Sequence, residues 1–158
     1  MKFSDFVKTE SIQAELAADD KEGVIRELVT SLVDNGQLSG DEYENIVQAI
    51  LEREKLGSTG IGRGIAVPHT KHPSVQDIVG TVGVSSSGVA FESLDGEKVQ
   101  LFFMLISPLD RRNDHLKALE NISKQLQDDT FCRFLKQSKS AEDVQQILEE
   151  ADNNQFVS

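Results

Sequence analysis

The sequence predicts an α/β fold, a single-domain layered sandwich in which a mixed β-sheet is flanked by helices on both faces. Two observations carry this. The run Val99-Gln100-Leu101-Phe102-Phe103-Met104-Leu105-Ile106 is almost unbroken in apolar residues. It lacks the polar alternation of a half-exposed strand, so it reads as a central strand that must be covered on both sides. Segments with helical apolar spacing both precede and follow it, and they supply that cover. With 158 residues, 38% hydrophobic and 27% charged, the chain suits one domain with one substantial core. That domain is expected to span residues 1–158, with its core at about 3–151 and a tail over 152–158.

Element by element, a short opening carries Phe3, Phe6, Val7 and Ile12. A first helix is marked by Val24, Ile25, Leu28, Val29, Leu32 and Val33, and Asn35-Gly36 ends it. Ser39 followed by Glu42 predicts a capping box, and Tyr43, Ile46, Val47, Ile50 and Leu51 mark one face of a second helix. Gly57 stops that helix. Gly57 to Gly64 holds four of the eleven glycines and reads as a loop. Ile65-Ala66-Val67 is a short buried strand closed by Pro68, which keeps Val67 extended and leaves His69 at the strand end. His69 to Pro73 reads as a further turn. Ile78 to Val84 and Val99 to Ile106 are strands. Helices are expected over Asp114 to Gln127, with His115, Leu119, Ile122 and Leu126 on one stripe, then over Thr130 to Gln137 and Ala141 to Ala151, and the tail from Asn153 is expected to fray.

Sixteen Lys and Arg stand against 27 Asp and Glu, a net charge of −11. The basic residues are scattered, so the stripe that a nucleic-acid backbone requires is absent, and the same balance argues against direct binding to an anionic membrane. A single cysteine, Cys132, excludes an internal disulfide and a multi-thiolate zinc site. The opening Met1-Lys2-Phe3-Ser4-Asp5 turns acidic before any long apolar stretch, and no run approaches the roughly 18 apolar residues of a spanning helix. A cytoplasmic location is the expectation.

The glycine-rich segment is the first chemical signal, because exposed backbone N–H groups can cradle an anion. Gly57, Ser58, Thr59, Gly60, Gly62 and Gly64 are therefore the candidate phosphate-binding loop. The nucleotide fingerprints fail: Arg63-Gly64-Ile65 replaces the Lys-Ser/Thr of a Walker loop, and the segment follows a helix and precedes a strand, the reverse of a dinucleotide-binding turn. The glycines also suit a tight turn with no ligand. Three residues at element ends can handle a phosphoryl group. Arg53, in the last turn of the second helix, can donate hydrogen bonds to a phosphate, although a cation there complements the helix dipole whatever the function. His69, presented after Pro68, is a neutral-imidazole nucleophile or an ordinary turn histidine. His115, in the first turn of the third helix, lies where the dipole attracts an anion and favours the neutral ring, or else it tops an apolar stripe.

The stretch Arg53-Glu54-Lys55-Leu56-Gly57-Ser58-Thr59-Gly60-Ile61-Gly62-Arg63-Gly64-Ile65-Ala66-Val67-Pro68-His69 resembles the signature of the phosphotransferase-system EIIA domain of the fructose/mannitol/nitrogen-regulatory type. Pro108 to Leu119, with His115-Leu116-Lys117-Ala118-Leu119, resembles the same family, and the element order agrees over nearly the whole chain. The resemblance implies that His69 carries a phosphoryl group on Nε2, that Arg53 is the family arginine and that His115 is the second histidine framing the site. It further implies HPr or its nitrogen-branch counterpart as phosphoryl donor, with an EIIB domain or a regulatory target protein as recipient. No metal or nucleotide cofactor is implied, since the donor already holds an activated phosphoryl group. Three roles are open: a nitrogen-regulatory EIIA, which the absence of any fused EIIB or permease domain in the chain favours; a transport EIIA; and a degenerate EIIA-like binding module.

Three further residues stand out. Arg63 occupies a position that is commonly Asn, His or another polar residue in members of the family it resembles, where a cation either adds phosphate affinity or alters the partner surface. His72 makes His69-x-x-His72, but its place beside Pro73 in a turn, without an H-E-x-x-H helix, argues against metal. Cys132 beside Phe131 and Phe134 reads as a buried structural thiol.

Overall fold

In the computed structural model, which describes residues 1–156, the chain forms α1 (Lys21–Asp34) and α2 (Tyr43–Lys55) before its strands. These are β1 (Gly60–Gly62), β2 (Ile65–Ala66), β3 (His69–Lys71), β4 (Val79–Val89) and β5 (Val99–Ser107), followed by α3 (Arg112–Leu126), α4 (Asp129–Lys136) and α5 (Ala141–Asp152). β5 is the centre. β4 runs antiparallel along one edge, from Val79 opposite Ile106 to Val89 opposite Val99. Along the other edge β2 and β3 lie end to end, both parallel to β5, with Ile65 opposite Leu101 and His69 opposite Leu105. Pro68 separates the two short strands, and its carbonyl still accepts from Leu105 N at 3.1 Å. β1 folds back antiparallel onto β2, so the sheet is mixed, as the sequence predicts.

The period-two alternation of a strand divides β5 between two cores. Leu101, Phe103 and Leu105 pack with Ala118, Ile122 and Leu126 of α3, Phe131 and Leu135 of α4, and Val144 and Leu148 of α5. Phe102, Met104 and Ile106 pack with Val24, Leu28 and Leu32 of α1 and Ile46, Val47 and Ile50 of α2. Helices therefore cover both faces. No helix of the described residues is long and apolar enough to cross a membrane.

The N-terminal segment covers the outer edge of β4, which would otherwise present unpaired backbone groups. Val7 bridges to Gly80 and Gln13 to Gly83, and the Thr81 hydroxyl donates to Ser11 O at 2.8 Å. Phe3 N and Ser4 N donate to the Asp152 carboxylate at 2.7 and 3.0 Å, tying the start of the chain to the end of α5.

Several local expectations change. The segment from Gly57 to Gly64 is not only a loop, because β1 pairs within it. His69 to Lys71 is a strand and not a turn, so His69 begins β3 and does not merely end the preceding strand. Both strands are three residues long and are held by backbone pairing, which leaves no side-chain periodicity to read. β4 continues past Val84 through a polar, irregular stretch to Val89. The capping box does not form: Ser39 Oγ accepts from Asp41 N, a 3-10 turn over Gly40–Glu42 leads into α2, and Glu42 accepts from Asn45 Nδ2. The tail is docked as far as Phe156, whose ring meets Phe131 edge-on at 5.5 Å and Phe134 at 6.0 Å. The expected fraying beyond it falls on residues 157–158, which lie outside the described residues.

Gly80 marks the tightest crossing of the edge segment. A Cβ there would stand 2.8 Å from both Met104 O and the Phe6 ring. Gly80→Ala is expected to destabilise the protein by about 1–3 kcal/mol, measured by urea unfolding, since the carbonyl of a central strand cannot yield cheaply. A loss below about 0.5 kcal/mol would show that the edge segment lifts away freely.

Candidate functional site

The parallel pairing of β3 with β5 places His69 opposite Leu105, two residues before Ser107 at the end of β5. The chain then turns through Pro108 into α3, which returns its first turn, and His115, to the same end of the sheet. The two imidazoles, 46 positions apart in sequence by subtraction of 69 from 115, are tilted neighbours with ring centroids 5.8 Å apart. The sequence alone names both residues; the register of β3 on β5 brings them together.

His69 is half-buried, and its Nδ1 lies 2.7 Å from Val67 O. A carbonyl oxygen only accepts, so Nδ1 carries the proton and Nε2 is left with its lone pair. Burial lowers the pKa of the ring. The Val67 hydrogen bond opposes this, while the positive charges of Arg53 and Lys71 add to it. The neutral, nucleophilic form is thereby favoured at neutral pH. His115 is 5% exposed, with Nδ1 2.6 Å from Ser107 Oγ. Burial, with smaller contributions from His69 and Lys71, pushes its pKa down to about 4.

Arg53 lies in the last turn of α2, which packs against β3, and its half-buried side chain donates to Gly57 O at 2.9 Å through Nη1. One hydrogen bond leaves most of its donor fork available. The neighbouring Glu54 points inward instead. Its buried carboxylate accepts from Thr59 N at 3.2 Å and from the Thr59 hydroxyl, and pairs with Lys21 Nζ at 3.2 Å. Thr59 O in turn accepts from Val67 N at 3.1 Å, and Val67 O holds His69. Lys21, Glu54, Thr59, Val67 and His69 thus form one continuous polar chain that ends on the His69 ring.

The candidate phosphate loop divides. Gly57 stands at the site through its bond to Arg53, whereas Ser58 Oγ accepts from Gly60 N at 3.0 Å and the Thr59 side chain is committed to Glu54. Gly62 and Gly64 sit at the tip of the β1–β2 hairpin, where Gly64 O accepts from Gln100 N and Leu101 N at the start of β5. Ile65, the next residue, is opposite Leu101, and His69 is opposite Leu105. Four strand residues separate those rungs by about 13 Å. The tip also faces a carboxylate, since Asp95 Oδ2 accepts from Arg63 N at 3.2 Å. The structure therefore does not bring Gly62 and Gly64 to the histidines, and their positive φ values, 98° and 76°, serve the tight hairpin turn.

Arg63 is likewise turned to structure: Nη2 donates to Leu126 O at 2.7 Å and Nη1 pairs with Asp129 at 2.9 Å, clamping the hairpin to the α3–α4 junction. His72 Nδ1 is engaged by Ser74 Oγ at 2.7 Å, and among the described residues no group of three His, Cys, Asp or Glu is placed to hold a metal ion. Cys132 is buried with Sγ 3.3 Å from Leu126 O, and burial pushes its thiol up. Sequence reasoning missed Glu54, Lys71 and Ser107. For Lys71 the signal was its spacing of two from His69, which shares a face only if the segment is a strand. Ser107 and Glu54 carry no such mark.

The depressed pKa of His115 links the site to stability. Between its ordinary value of 6.5 and about 4 the unfolded chain binds the proton that the folded chain refuses. Stability is thus full above about pH 6.5 and falls as pH drops toward about 4, by an amount on the order of 3 kcal/mol. Urea unfolding across that window is expected to show this slope, and His115→Gln to flatten it. Equal slopes in the two proteins would remove His115 as its source.

Comparison with known proteins adds relatives. The sequence profile described as "Phosphoenolpyruvate-dependent sugar phosphotransferase system, EIIA 2" matches residues 5–151. A nitrogen regulatory protein of Bradyrhizobium diazoefficiens is 34% identical over 148 residues, covering 94% of this chain and 95% of the relative. The crystal structure of nitrogen regulatory protein IIA-Ntr from Neisseria meningitidis superposes with a TM-score of 0.82 at 29% identity, covering 90% of this chain and 96% of that one. The mannitol enzyme IIA of Escherichia coli, solved in complex with phosphorylated mannitol enzyme IIB, superposes with a TM-score of 0.75 at 25% identity, covering 91% of this chain and 99% of that one.

Proposed function

The chain belongs to the EIIA type 2 family of the phosphoenolpyruvate-dependent sugar phosphotransferase system, a family of phosphotransferase components, and we propose that it is a phosphohistidine carrier whose nucleophile is His69 Nε2. The observation that carries this reading is the 2.7 Å contact between His69 Nδ1 and Val67 O, which leaves Nε2 with its lone pair in a ring favoured neutral. The donor is the phosphohistidine of HPr or of its nitrogen-branch counterpart. In the transfer, Nε2 attacks phosphorus in line, the new N–P bond forms as the donor's N–P bond breaks, and the bonding pair returns to the donor imidazole. Charge accumulates on the three equatorial oxygens of a loose transition state, so positioning and electrostatics supply most of the catalysis. Arg53 offers a guanidinium with donors to spare, and Lys71 adds a second positive charge. Gly57 contributes the carbonyl that orients Arg53.

A protein-sized donor and recipient need a surface, and large apolar side chains stand exposed beside the site residues. Leu56, three positions after Arg53, is 85% exposed, Leu109 is 59% exposed and Leu116, next to His115, is 49% exposed. We favour the nitrogen-regulatory role, in which phosphorylation governs binding to a target protein. The nitrogen regulatory relative matches this chain end to end at 94% and 95% coverage. The transport alternative, transfer onward to an EIIB, is supported by the likeness to the mannitol enzyme IIA solved with phosphorylated enzyme IIB. Rapid transfer to a sugar-specific EIIB would select transport; target binding that switches with phosphate on His69 would select regulation.

The test is labelling by phosphoenolpyruvate through enzyme I and HPr, and through their nitrogen-branch counterparts. Acid-labile, base-stable phosphate is expected on the wild type and not on His69→Ala. No label from either donor set would make the chain a degenerate binding module, and label persisting in His69→Ala would move the nucleophile elsewhere. Arg53→Ala is expected to slow transfer by about a hundredfold. Its melting temperature should change little, because the side chain is only partly buried and its one hydrogen bond goes to the carbonyl of exposed Gly57. Unchanged transfer would reject the role of Arg53.

A further inference from the structure

The contact between Ser107 and His115 has consequences that the family's histidines alone do not carry. Ser107 is fully buried at the last rung of β5, opposite Lys71, and its carbonyl accepts from His72 N at 2.9 Å, so its backbone is fixed on the β3 side. Its hydroxyl lies 2.6 Å from His115 Nδ1, its sole hydrogen-bond partner among the described residues. Two proton arrangements fit that distance. If Nδ1–H donated to Oγ, the Ser107 hydroxyl proton would be left in the core with no acceptor, which is costly. If the hydroxyl donates to Nδ1, its proton is satisfied and the nitrogen lone pair is used.

We infer that Ser107 is a positioning residue that fixes the tautomer of His115, with the serine hydroxyl donating to Nδ1 so that the single ring proton sits on Nε2. The two rings then become complementary. His69, held by Val67 O, has its proton on Nδ1 and a lone pair on Nε2; His115, held by Ser107 Oγ, has a lone pair on Nδ1 and its proton on Nε2. Burial keeps His115 neutral at pH 7, so the ring has only one proton to place. With centroids 5.8 Å apart, one imidazole is a nucleophile and the other a hydrogen-bond donor to the phosphoryl oxygens. His115 donates a hydrogen bond throughout and transfers no proton. The opposite tautomer would turn a lone pair toward those oxygens and create a second nucleophilic Nε2 beside the first. Ser107 thereby decides which of two neutral histidines accepts the phosphoryl group.

This inference rests on the carrier reading for its consequence in transfer, while the tautomer itself does not. Long-range proton–nitrogen NMR of uniformly labelled protein at neutral pH reads both rings directly. In the wild type, His69 is expected as the Nδ1–H form and His115 as the Nε2–H form. In Ser107→Ala, His115 should shift to a mixture of tautomers while His69 keeps its own, which also reports that the fold is intact. Transfer should slow by about tenfold in Ser107→Ala and recover in Ser107→Thr, which restores the hydroxyl. A wild-type His115 protonated on Nδ1, or an unchanged His115 tautomer in Ser107→Ala, would overturn the inference even if transfer slowed. If the wild type shows the expected tautomers yet takes no phosphate from either donor set, the carrier reading fails and the assignment of Ser107 stands.

Discussion

The site depends on one strand whose register cannot move. β5 is covered on both faces and paired on both edges, and Leu101, Phe102, Leu105 and Ile106 are each 0% exposed. Burial of each such side chain is worth about 1.5–3 kcal/mol. A slip of one residue would exchange the set facing α3, α4 and α5 for the set facing α1 and α2, with Phe103 and Phe102 trading cores. That penalty fixes Leu105 and Ser107 in space. His69 is fixed to the first by strand pairing and His115 to the second by its hydrogen bond, so the hydrophobic cores set the separation of the two imidazoles.

A polar chain does the same work from the other side of His69. Glu54 is a carboxylate with 2% side-chain exposure, and an isolated charge there would be expensive. Lys21 and the two donors of Thr59 make it tolerable, and in return they hold the backbone that carries Val67. Such a buried pair adds little net stability compared with apolar residues of the same size, yet removing one partner strands the other charge. Its value here is positional. The carbonyl that fixes the tautomer of His69 is two hydrogen bonds away from a group that has nowhere else to go.

The elements legible in the sequence are those whose side chains repeat. α1, α2, α3 and β5 were readable because apolar residues recur at the period of each element, and Arg53 and His115 lay near the ends of such elements. β1 and β3 were not readable because three residues paired through their backbones leave no period, so a glycine hairpin read as a loop and His69 as a turn residue. The glycine-rich segment also shows how composition can mislead. Glycines that admit a ligand and glycines that admit a tight turn look alike, and only the register on β5 separates Gly57 at the site from Gly62 and Gly64 at the far tip. Ser107 and Glu54 were hidden for another reason. Their importance lies in what their side chains face across the fold, and no local spacing encodes that.

The electrostatics suit the proposed role of a carrier, which must release what it accepts. A phosphoryl group brings close to two negative charges, and a site with several full ion pairs would hold it too tightly to pass on. Here two cations, Arg53 and Lys71, stand near two imidazoles whose burial favours the uncharged form. With His115 neutral, its contribution to the proposed phosphoryl site would be a single directional hydrogen bond, worth less than the ion pair an imidazolium would make. The net charge of the whole protein is −11, a field that would oppose retention of an added anion. Burial of His115 thus costs stability in acid and, on the carrier reading proposed above, leaves a neutral donor in place of a cation that would hold the phosphoryl group more tightly.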